Sequence, residues 1–516
     1  MLKKNNLNKL YILFLTFFSI FFNQYYGYIG ILPIDSFLIF NSGFDLMNGY
    51  LPFKDYWTIK EPFIDLLQAT FFKIIGVSWF AYVLHASIFN FIITISTYFF
   101  FRKLKLDINF CFFYSLCVAI LTYPTAGTPF SDHHALILCL LSLYLFVLGI
   151  TFKKNLYWIL LPFFLFLAFF SKQAPTSYFI IILVLFSLIY FIVNKNYKNF
   201  ISVLFGLSLS FFLFFTILYF NKIDLKDVLY QYILFPMSLG ETRLEWLFPL
   251  EFKRIIWRFK LYYLSIIILI IIYIKEIYRQ KKNFLDNNFL IMGSLILSCI
   301  AVIVHQLMTI NGMFIFCVIP IFSGFSNIYS NIYFKKKIIN KFLILLVLGS
   351  TINYYTKYIQ TRSFLDLGNV DINNSIDGGE IHPKFSGIKW INIFYPDSPS
   401  MEAKLLKLSM KEIYKDQREK MIVTDYQFIS VFNNEYDNST TRFWWEFHGY
   451  PNKESKYFEY WKDFSLKKIR KNKIEVIYII KPFAAGKISF NDILINCSEK
   501  KELNKILEII ILKNCK

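Results

Sequence analysis

Charged residues are scarce in this chain of 516 residues, and their scarcity excludes an ordinary soluble globular protein. Asp, Glu, Lys and Arg together make up 17% of the sequence, whereas 56% of it is hydrophobic and 62 residues are Phe. A typical soluble domain carries about a quarter charged residues. The composition therefore predicts a polytopic membrane protein.

Signatures of several other protein classes are also missing. The sequence has no internal repeat and no low-complexity segment, and residues 359–516 contain no phosphate loop, metal cluster or nucleophile triad. No small-residue cleavage site follows the first apolar run, which we therefore expect to be an uncleaved span. The net charge of +20 comes without basic, aromatic-interleaved patches. We attribute this charge to membrane topology and contact with anionic lipids, and expect no nucleic-acid partner.

Apolar runs of spanning length recur through the first 358 residues. We predict about eleven spans, at about 11–32, 81–101, 110–126, 134–152, 156–171, 175–193, 200–220, 261–278, 289–304, 312–330 and 341–358.

The positions of Lys and Arg predict the orientation, because cations in short loops remain cytoplasmic. Every second loop is basic, as at 102–105, 153–154, 195–198, 279–282 and 335–337. A cytoplasmic N-terminus and an odd number of spans place 33–80, 221–260 and the tail after 358 outside the cytoplasmic membrane. Outside means periplasmic or extracellular. Within 235–260 we expect an amphipathic basic stretch to lie on the outer leaflet.

The last 158 residues change character, with turn signals followed by alternating short apolar runs and helical patterns. "KWINIFY" and "KIEVIYIIK" predict buried strands, "SMEAKLLKLSMKEIYKDQ" an amphipathic helix, and "KMIVTDYQFISVF" a strand entering a helix. The predicted fold is an α-helical polytopic membrane domain at 1–358 followed by an extracytoplasmic α/β domain at 359–516. Five cysteines lie in predicted spans. The sequence leaves undecided whether Cys497 and Cys515 form a disulfide.

The external loop at 33–80 places acidic residues next to the membrane. "DSFLIFNSGFDLMNG" predicts a surface helix that begins near Asp35 and ends at Gly49, and "PFIDLLQATFFKIIG" predicts a second one at 62–76. The polar elbow between them would put Asp35, Asp55 and Lys60 beside the outer mouth of the helical bundle.

This order of elements resembles the first external loop of GT-C-fold glycosyltransferases, in particular the protein mannosyltransferase and aminoarabinose transferase superfamily. Their pattern is an Asp, often Asp-Glu, then Gly-x-x-Pro-Tyr-x-Asp and a later Pro-Pro-Leu. The resemblance covers about the first 100 residues closely and the other spans by topology. The matching positions are Asp35 with Ser36 in place of Glu, Gly49, Pro52, Phe53 in place of Tyr, Asp55, and Glu61, Pro62 and Phe63 in place of Pro-Pro-Leu.

The resemblance implies transfer of a hexose or pentose from a polyprenyl-phosphate carrier to a glycan, lipid or protein acceptor on the external face. The acceptor hydroxyl must lose a proton as it attacks the anomeric carbon, and Asp35 is the candidate base. Capping of the helix that follows is the alternative role for Asp35. Cations that meet the departing phosphate are predicted at Lys60, Lys172 and Arg243.

Other candidates also have two interpretations. Asp55 either contacts substrate or metal or is a turn residue. Asp132 and His133 either hold a divalent cation that contacts the phosphate or belong to a helix cap formed by Ser131 or Asp132.

Lys172, followed by Gln173, breaks the positive-inside trend, so it either faces a lipid phosphate or snorkels. His305, with Gln306 and Asn311, either lines a sugar pocket or ends a helix. Arg243 either binds phosphate or pairs with a neighbouring Glu.

Two further classes compete with the transferase. A transporter or flippase would be expected to have broken helices and polar groups near the middle of the membrane. An O-antigen-type polymerase or ligase handles similar lipid-linked sugars, but typically uses later, Arg-rich external loops. Here the ionisable residues gather at the predicted external ends of spans, and the acidic loop comes early in the chain.

Overall fold

The computed structural model describes residues 2–245, 248, 251–280, 286–333, 337–483, 490 and 498–513. The chain forms two compact units. We call the first the helical unit; it consists of Met1–Gly27, Ala86–Thr216 and Arg243–Phe364. We call the second the mixed unit; it consists of Tyr28–His85, Ile217–Thr242 and Leu365–Lys516. The mixed unit thus joins the predicted soluble tail with two segments that were predicted to be external loops.

Each of the predicted spans contains a helix. Within the described ranges, nine helices, counted with the turns that extend them, are long and apolar enough to cross a membrane, which confirms a polytopic α-helical protein. Two further apolar helices, Asn155–Ser171 and Val318–Tyr333, are shorter and are not among these nine. Those nine are Leu2–Gly27, Trp79–Lys103, Ile108–Leu121, Ser131–Phe152, Gln173–Val193, Tyr197–Asn221, Arg258–Gln280, Asn287–Thr309 and Lys337–Tyr354.

Small residues let helices approach closely in the helical unit. Ser131–Phe152 is its most enclosed helix, with 83% of its apolar stretch buried, and it packs against Asn155–Ser171. A Cβ atom on Gly149 would lie 2.8 Å from the Trp158 ring, so only glycine permits this contact. Gly127 has a φ of +82° and would place a Cβ 2.9 Å from the backbone of Gly27. Both glycines therefore fix the helix that carries Asp132.

The basic stretch that was predicted to lie on the outer leaflet is continuous with an apolar helix. A π-helical segment at Lys253–Trp257 joins Arg258–Gln280, which is long and apolar enough to cross a membrane. Cations of this stretch cap a neighbouring helix end. Arg254 donates to the carbonyl oxygen of Leu307 at 2.7 Å, and Arg258 donates to that of Asn311 at 2.9 Å.

The mixed unit contains a four-stranded sheet. Lys420–Thr424 pairs in parallel with Val476–Ile480, which pairs antiparallel with Leu507–Leu512, and this strand pairs antiparallel with Ser498–Glu502. Ile376–Asp377 and Lys389–Trp390 form a separate two-stranded sheet. The helices of the unit that are not spans are Pro33–Ser36, Leu38–Met47, Pro62–Ile75, Leu225–Val228, Pro399–Lys415, Phe428–Phe432 and Phe458–Lys471, together with Phe235–Glu245, whose last three residues belong to the helical unit.

Alternation along the inner strands divides the core of the mixed unit between two faces of the sheet. Ile422 and Tyr478 belong to the cluster that contains Trp390, whereas Val423 and Ile477 belong to a second cluster. The residues of Val476–Ile480 are all buried, as expected for an apolar strand covered on both faces. Helices form in both stretches predicted within 33–80, but the first divides at Phe37 into Pro33–Ser36 and Leu38–Met47, and residues 38–45 are all buried, unlike a helix that lies on a surface. The strand–helix pair at 420–432 is confirmed. "KWINIFY" is a correction, since only Lys389–Trp390 forms a strand there.

The five cysteines in predicted spans are buried and free. Cys497 and Cys515 lie outside the described residues, so the predicted alternative of a disulfide between them stays a prediction.

Candidate functional site

A buried ionic cluster lies in the helical unit. The Asp132 carboxylate uses both oxygens: Lys172 Nζ lies 2.5 Å from Oδ2, and His305 Nε2 lies 2.9 Å from Oδ1. Asp132 and His305 are 2% and 3% exposed, whereas the Lys172 side chain keeps 21% of its surface accessible. The structure therefore brings together three residues that the sequence analysis selected from three distant segments.

Each member of the cluster sits at or near a helix end. Asp132 is the second residue of Ser131–Phe152, Lys172 separates Asn155–Ser171 from Gln173–Val193, and His305 lies four residues before the end of Asn287–Thr309. The residue before the first of these helices is Phe130, and no side chain caps it. The capping alternative for Ser131 and Asp132 is therefore wrong. The Asp132 carboxylate is committed to Lys172 and His305 instead.

Arg243 extends the positive charge of this cluster. It lies near the end of Phe235–Glu245 and interacts electrostatically with Asp132 and His305. Burial lowers the pKa of Arg243, and attraction to Asp132 opposes that change. Gln173 directly follows Lys172 and begins the next helix.

The charge balance of the cluster suits an anion. One carboxylate, Asp132, faces two permanent cations, Lys172 and Arg243, so the net charge is positive even when His305 is neutral. Buried charges cost free energy unless they are paired, and ionisable side chains on apolar helices commonly mark a functional site. Lys and Arg are the usual phosphate ligands of proteins.

Gln306, near His305, has a structural role. Its Oε1 accepts a hydrogen bond from the backbone N–H of Phe314 at 3.4 Å, just beyond the helix end. This contact favours the helix-end alternative for Gln306, while His305 itself belongs to the ionic cluster.

The side chains around Asp132 and His133 do not fit a metal ion. His133 Nε2 lies 2.9 Å from the carbonyl oxygen of Thr122, so this nitrogen donates to the backbone, and both Asp132 oxygens already have partners. In the part of the chain that the structure describes, no three His, Cys, Asp or Glu side chains converge as a metal site requires. Within the described residues, the geometry therefore provides no set of ligands for a metal ion.

Arg362, which the sequence analysis did not select, holds the turn before Ser131–Phe152. Its guanidinium donates to the carbonyl oxygens of Pro124 and Ala126, each at 2.8 Å, although Arg362 is only 1% exposed. A signal was present in the sequence, because Arg362 follows the last apolar run on the predicted external side, where cations are disfavoured. Arg362 therefore helps to position Asp132.

Asp35 belongs to the mixed unit. It is the third residue of the short helix Pro33–Ser36 and is partly exposed. The residue before this helix is Leu32, whose backbone N–H donates to Ser36 Oγ at 3.0 Å. Asp35 therefore does not occupy the N-cap position, and the capping alternative for it is wrong.

The C-terminal tail holds the backbone that leads to Asp35. Gly30 donates to the carbonyl oxygen of Lys389 at 3.0 Å, and Ile31 donates to that of Ile391 at 2.9 Å. These bonds fix the chain as it enters Pro33–Ser36. Residues 389–391 thus position the candidate base.

Asp55 and Lys60 have partners within the mixed unit. Asp55 Oδ2 accepts from the backbone N–H of Leu51 at 3.0 Å, and Asp55 Oδ1 lies 3.5 Å from Lys468 Nζ. The first contact closes a turn, which favours the structural alternative for Asp55. Lys60 Nζ lies 3.7 Å from the centre of the Phe443 ring, a cation–π contact.

A buried network links the segment around Asp45 to the tail. Arg442 pairs with Asp45 through Nη2 and with Asp437 through Nη1, the latter at 3.2 Å, and its guanidinium lies 4.0 Å from the centre of the Tyr56 ring. Asn41 donates to Asp437 at 2.8 Å. Neither Arg442 nor Asp45 was predicted as important, because nothing in the local sequence indicates a partner about 400 residues away.

No protein-family model matches this chain, and no curated protein matches it either. Its function is therefore argued from the residue patterns and the geometry of the two units.

Proposed function

We propose that this protein is an integral membrane glycosyltransferase that moves a sugar from a polyprenyl-phosphate carrier to an acceptor outside the cytoplasm. The observation that carries the proposal is the buried cluster of Asp132, Lys172, His305 and Arg243 on apolar helices. A lipid-linked donor has its phosphate at the level of the headgroups and its chain in hydrocarbon. A net positive cluster near the ends of membrane-spanning helices is suited to such a phosphate.

The proposed reaction is a single displacement with inversion. The acceptor oxygen attacks the anomeric carbon and loses its proton to a carboxylate base, and the bond from the anomeric carbon to the phosphate oxygen breaks. The sequence pattern of the first external loop suggests Asp35 as that base, and the assay below tests this role separately from that of the cluster. The leaving group departs as a polyprenyl phosphate with increased negative charge. Lys172 and Arg243 stabilise that charge, and Asp132 and His305 hold Lys172 in place.

The mixed unit supports an arrangement in which its three segments share one side of the membrane. Tyr28–His85, Ile217–Thr242 and Leu365–Lys516 pack into one body, which cannot straddle a bilayer. The number of crossings between successive segments must therefore be even.

The described helices satisfy this condition only if the two short ones also cross. Counting them, six helices separate the first segment from the second, and four separate the second from the third. Without Asn155–Ser171 and Val318–Tyr333 both numbers would be odd. We therefore propose eleven crossings, a cytoplasmic N-terminus and an extracytoplasmic mixed unit, in agreement with the distribution of basic loops.

Cysteine labelling of intact cells tests this topology, in a background in which Cys497 and Cys515 are both replaced by serine. Lys154→Cys, in the predicted cytoplasmic loop before Asn155–Ser171, should resist a membrane-impermeant maleimide until the cells are opened. Asn373→Cys, exposed in the tail, should react at once. Equal labelling of both positions in intact cells would contradict the proposed crossings.

A transporter or flippase is the main alternative. The charged cluster favours the transferase, because its members lie close to helix ends, whereas coupling groups of transporters are expected near the middle of the bilayer. An O-antigen-type polymerase or ligase would share the phosphate site. It differs in transferring a lipid-linked glycan chain, so donors that carry a single sugar and donors that carry a glycan chain distinguish the two activities in the assay.

The transfer assay uses the purified full chain in nanodiscs, labelled polyprenyl-phosphate sugars as donors, and a membrane extract as acceptor. We expect Asp35→Asn to lower transfer by about 10²–10⁴-fold as the loss of a general base. Lys172→Ala should lower transfer by about 10²–10³-fold. Lys154→Ala, an exposed lysine of the same helical region, is the matched control and should retain activity.

Three results would count against the proposal. Asp35→Asn could transfer as well as the wild type, which would remove the proposed base. The second is that the wild type transfers sugar from none of the donors in the panel. The third is that labelled lipid crosses the membrane of proteoliposomes without any sugar transfer, which would favour the flippase.

A further inference from the structure

A loop of the mixed unit at residues 443–450, "FWWEFHGY", carries an aromatic surface that the proposed chemistry does not use. Phe443 and Trp444 are buried, at 8% and 3% exposure, whereas Trp445 is 36% exposed. The ring centres of Trp445 and His448 are 5.1 Å apart, and those of Trp445 and Phe443 are 6.0 Å apart. The exposed carboxylate of Glu446 follows directly in the chain.

The backbone of this loop is held in one conformation. Gly449 donates to the carbonyl oxygen of Trp445 at 2.6 Å, and Phe447 donates to that of Tyr450 at 2.8 Å. The indole of Trp57 donates to the carbonyl oxygen of Gly449 at 3.1 Å. A Cβ on Gly449 would lie 1.9 Å from the carbonyl oxygen of Phe443, so no other residue fits there. Trp445 is therefore presented from a rigid support.

The indole N–H groups of the neighbouring Trp residues donate hydrogen bonds inside the unit, but that of Trp445 does not. Trp444 donates to Ser439 Oγ and Trp461 donates to Thr441 Oγ1, each at 2.8 Å. Among the described residues, none accepts a hydrogen bond from the Trp445 indole. The part of the Trp445 side chain that is exposed, 36% of its surface, is therefore open to a ligand.

We propose that Trp445 and Glu446 form a saccharide-binding subsite that receives a pyranose ring. A pyranose presents C–H groups on one face, which suit the electron-rich face of an indole, and hydroxyl groups around its edge. The Glu446 carboxylate accepts hydrogen bonds from such hydroxyls, and the Trp445 indole N–H donates to another hydroxyl. Binding sites commonly combine an apolar platform with a few polar groups of this kind.

Lys60, which the sequence analysis predicted to meet the departing phosphate, connects this subsite to the proposed function. Lys60 Nζ lies over the Phe443 ring, and Phe443 is in turn the neighbour of Trp445. The proposal that the ligand is a sugar of the transfer reaction rests on the proposed glycosyltransferase. The existence of the subsite itself can be measured without transfer.

A membrane-anchoring role is the competing explanation of an exposed Trp, because Trp is enriched at the lipid–water interface. Glu446 argues against it, since inserting the Trp445 ring into lipid would carry the adjacent charged carboxylate with it. The experiment therefore includes an arm that detects lipid contact.

The measurement is ¹⁹F NMR of the full chain, labelled with 5-fluorotryptophan and reconstituted in nanodiscs. The resonance that disappears in Trp445→Phe identifies Trp445. Mannotriose and chitotriose serve as probes, with glycerol as the control for non-specific effects. We expect either saccharide to shift the Trp445 resonance with a millimolar dissociation constant and to leave that of exposed Trp257 in place.

Saturation transfer from protein to saccharide provides the variant comparison. Trp445→Ala should weaken binding by about tenfold, Trp445→Phe by less than about threefold, and Trp257→Ala not at all. The proposal is overturned if neither saccharide shifts Trp445 or if Trp445→Ala binds like the wild type. It is also overturned if spin-labelled lipid broadens the Trp445 resonance, which would assign this side chain to the membrane.

The two proposals can fail separately. Loss of saccharide binding in Trp445→Ala together with inactive wild-type protein would retain the subsite and reject the transferase. Full transfer activity with no saccharide effect on Trp445 would do the reverse.

Discussion

Replacement of Arg442 by methionine tests how much the buried network of the mixed unit contributes to folding. Arg442 is 2% exposed, and its two acidic partners, Asp45 and Asp437, are 0% and 3% exposed. Methionine fills much of the same volume but leaves both carboxyl groups without their counter-charge. Breaking a buried ion pair in this way costs about 3–5 kcal/mol. For a unit of this size, a loss of 4 kcal/mol would lower Tm by roughly 8–16 °C.

The pH dependence separates lost charge pairing from lost packing. Burial raises the pKa of Asp45, and Arg442 opposes that rise. Without Arg442 the Asp45 pKa rises further. A carboxyl group whose folded pKa exceeds its unfolded value takes up a proton on folding, so its stability contribution declines as pH rises above about 4. Because burial already raises the Asp45 pKa of the wild type to about 8, the two proteins differ in proton uptake only above that pH, and the destabilisation of Arg442→Met should be smaller at about pH 6.5 than at about pH 9.

Thermal unfolding of the full chain in detergent, followed by tryptophan fluorescence, provides the measurement. The double variant Asp45→Asn/Arg442→Met should recover part of the loss, because it removes one stranded carboxyl group together with the cation. Arg418→Met is the matched control. Arg418 pairs with Asp416 on the surface, so we expect a change below about 1 kcal/mol.

Two results would refute this reasoning. One is a loss of less than about 1 kcal/mol in Arg442→Met, which would mean that the network contributes no more than a surface pair. The other is a loss of equal size at both pH values, which would attribute the effect to packing alone.

Three further predictions concern other positions. Gly127→Ala should destabilise the protein by about 1–3 kcal/mol because its Cβ would meet Gly27, whereas Gly349→Ala, which meets no atom within 4 Å, should be neutral or slightly stabilising; urea midpoints decide. Burial raises the pKa of Glu402, so the stability of the wild type relative to Glu402→Gln should fall as the pH rises from about 4.3. Urea unfolding of both proteins at about pH 4.5 and at about pH 7.5 measures this change. Asp55→Asn should retain transfer within about threefold and lose about 1 kcal/mol of stability if Asp55 only closes its turn, and a complete loss of transfer by folded protein would restore its substrate role.

Local patterns in the sequence were sufficient for most helices and for two strands. Apolar runs of membrane-spanning length can be recognised from the local sequence alone. The all-apolar run of Val476–Ile480 likewise indicates a buried strand. The tail strand at "KWINIFY" was overestimated because Asn392 turns its side chain to Glu402 and to the backbone instead of continuing a ladder. Composition alone cannot reveal such a side-chain bond.

The candidate site divides in the same way between local and long-range information. Lys172 stood out because it violated a charge rule, and its partner Asp132 because it began an apolar run. Their contact, and that of His305, depends on how three helices pack, which no short motif encodes. The contacts of Arg362 with Pro124 and of Arg442 with Asp45 were overlooked because they join residues 238 and 397 positions apart in the sequence.

The mixed unit is assembled from segments that leave the ribosome at very different times. About 280 residues separate the end of Tyr28–His85 from the start of Leu365–Lys516. At a synthesis rate of about 5–20 residues per second, the first segment waits roughly 15 s to 1 min for its partners. Through that interval Phe37, Phe40 and Trp57 lack the tail residues that later bury them. Folding of the mixed unit therefore requires that an early, aromatic-rich segment does not aggregate before the tail has been synthesised.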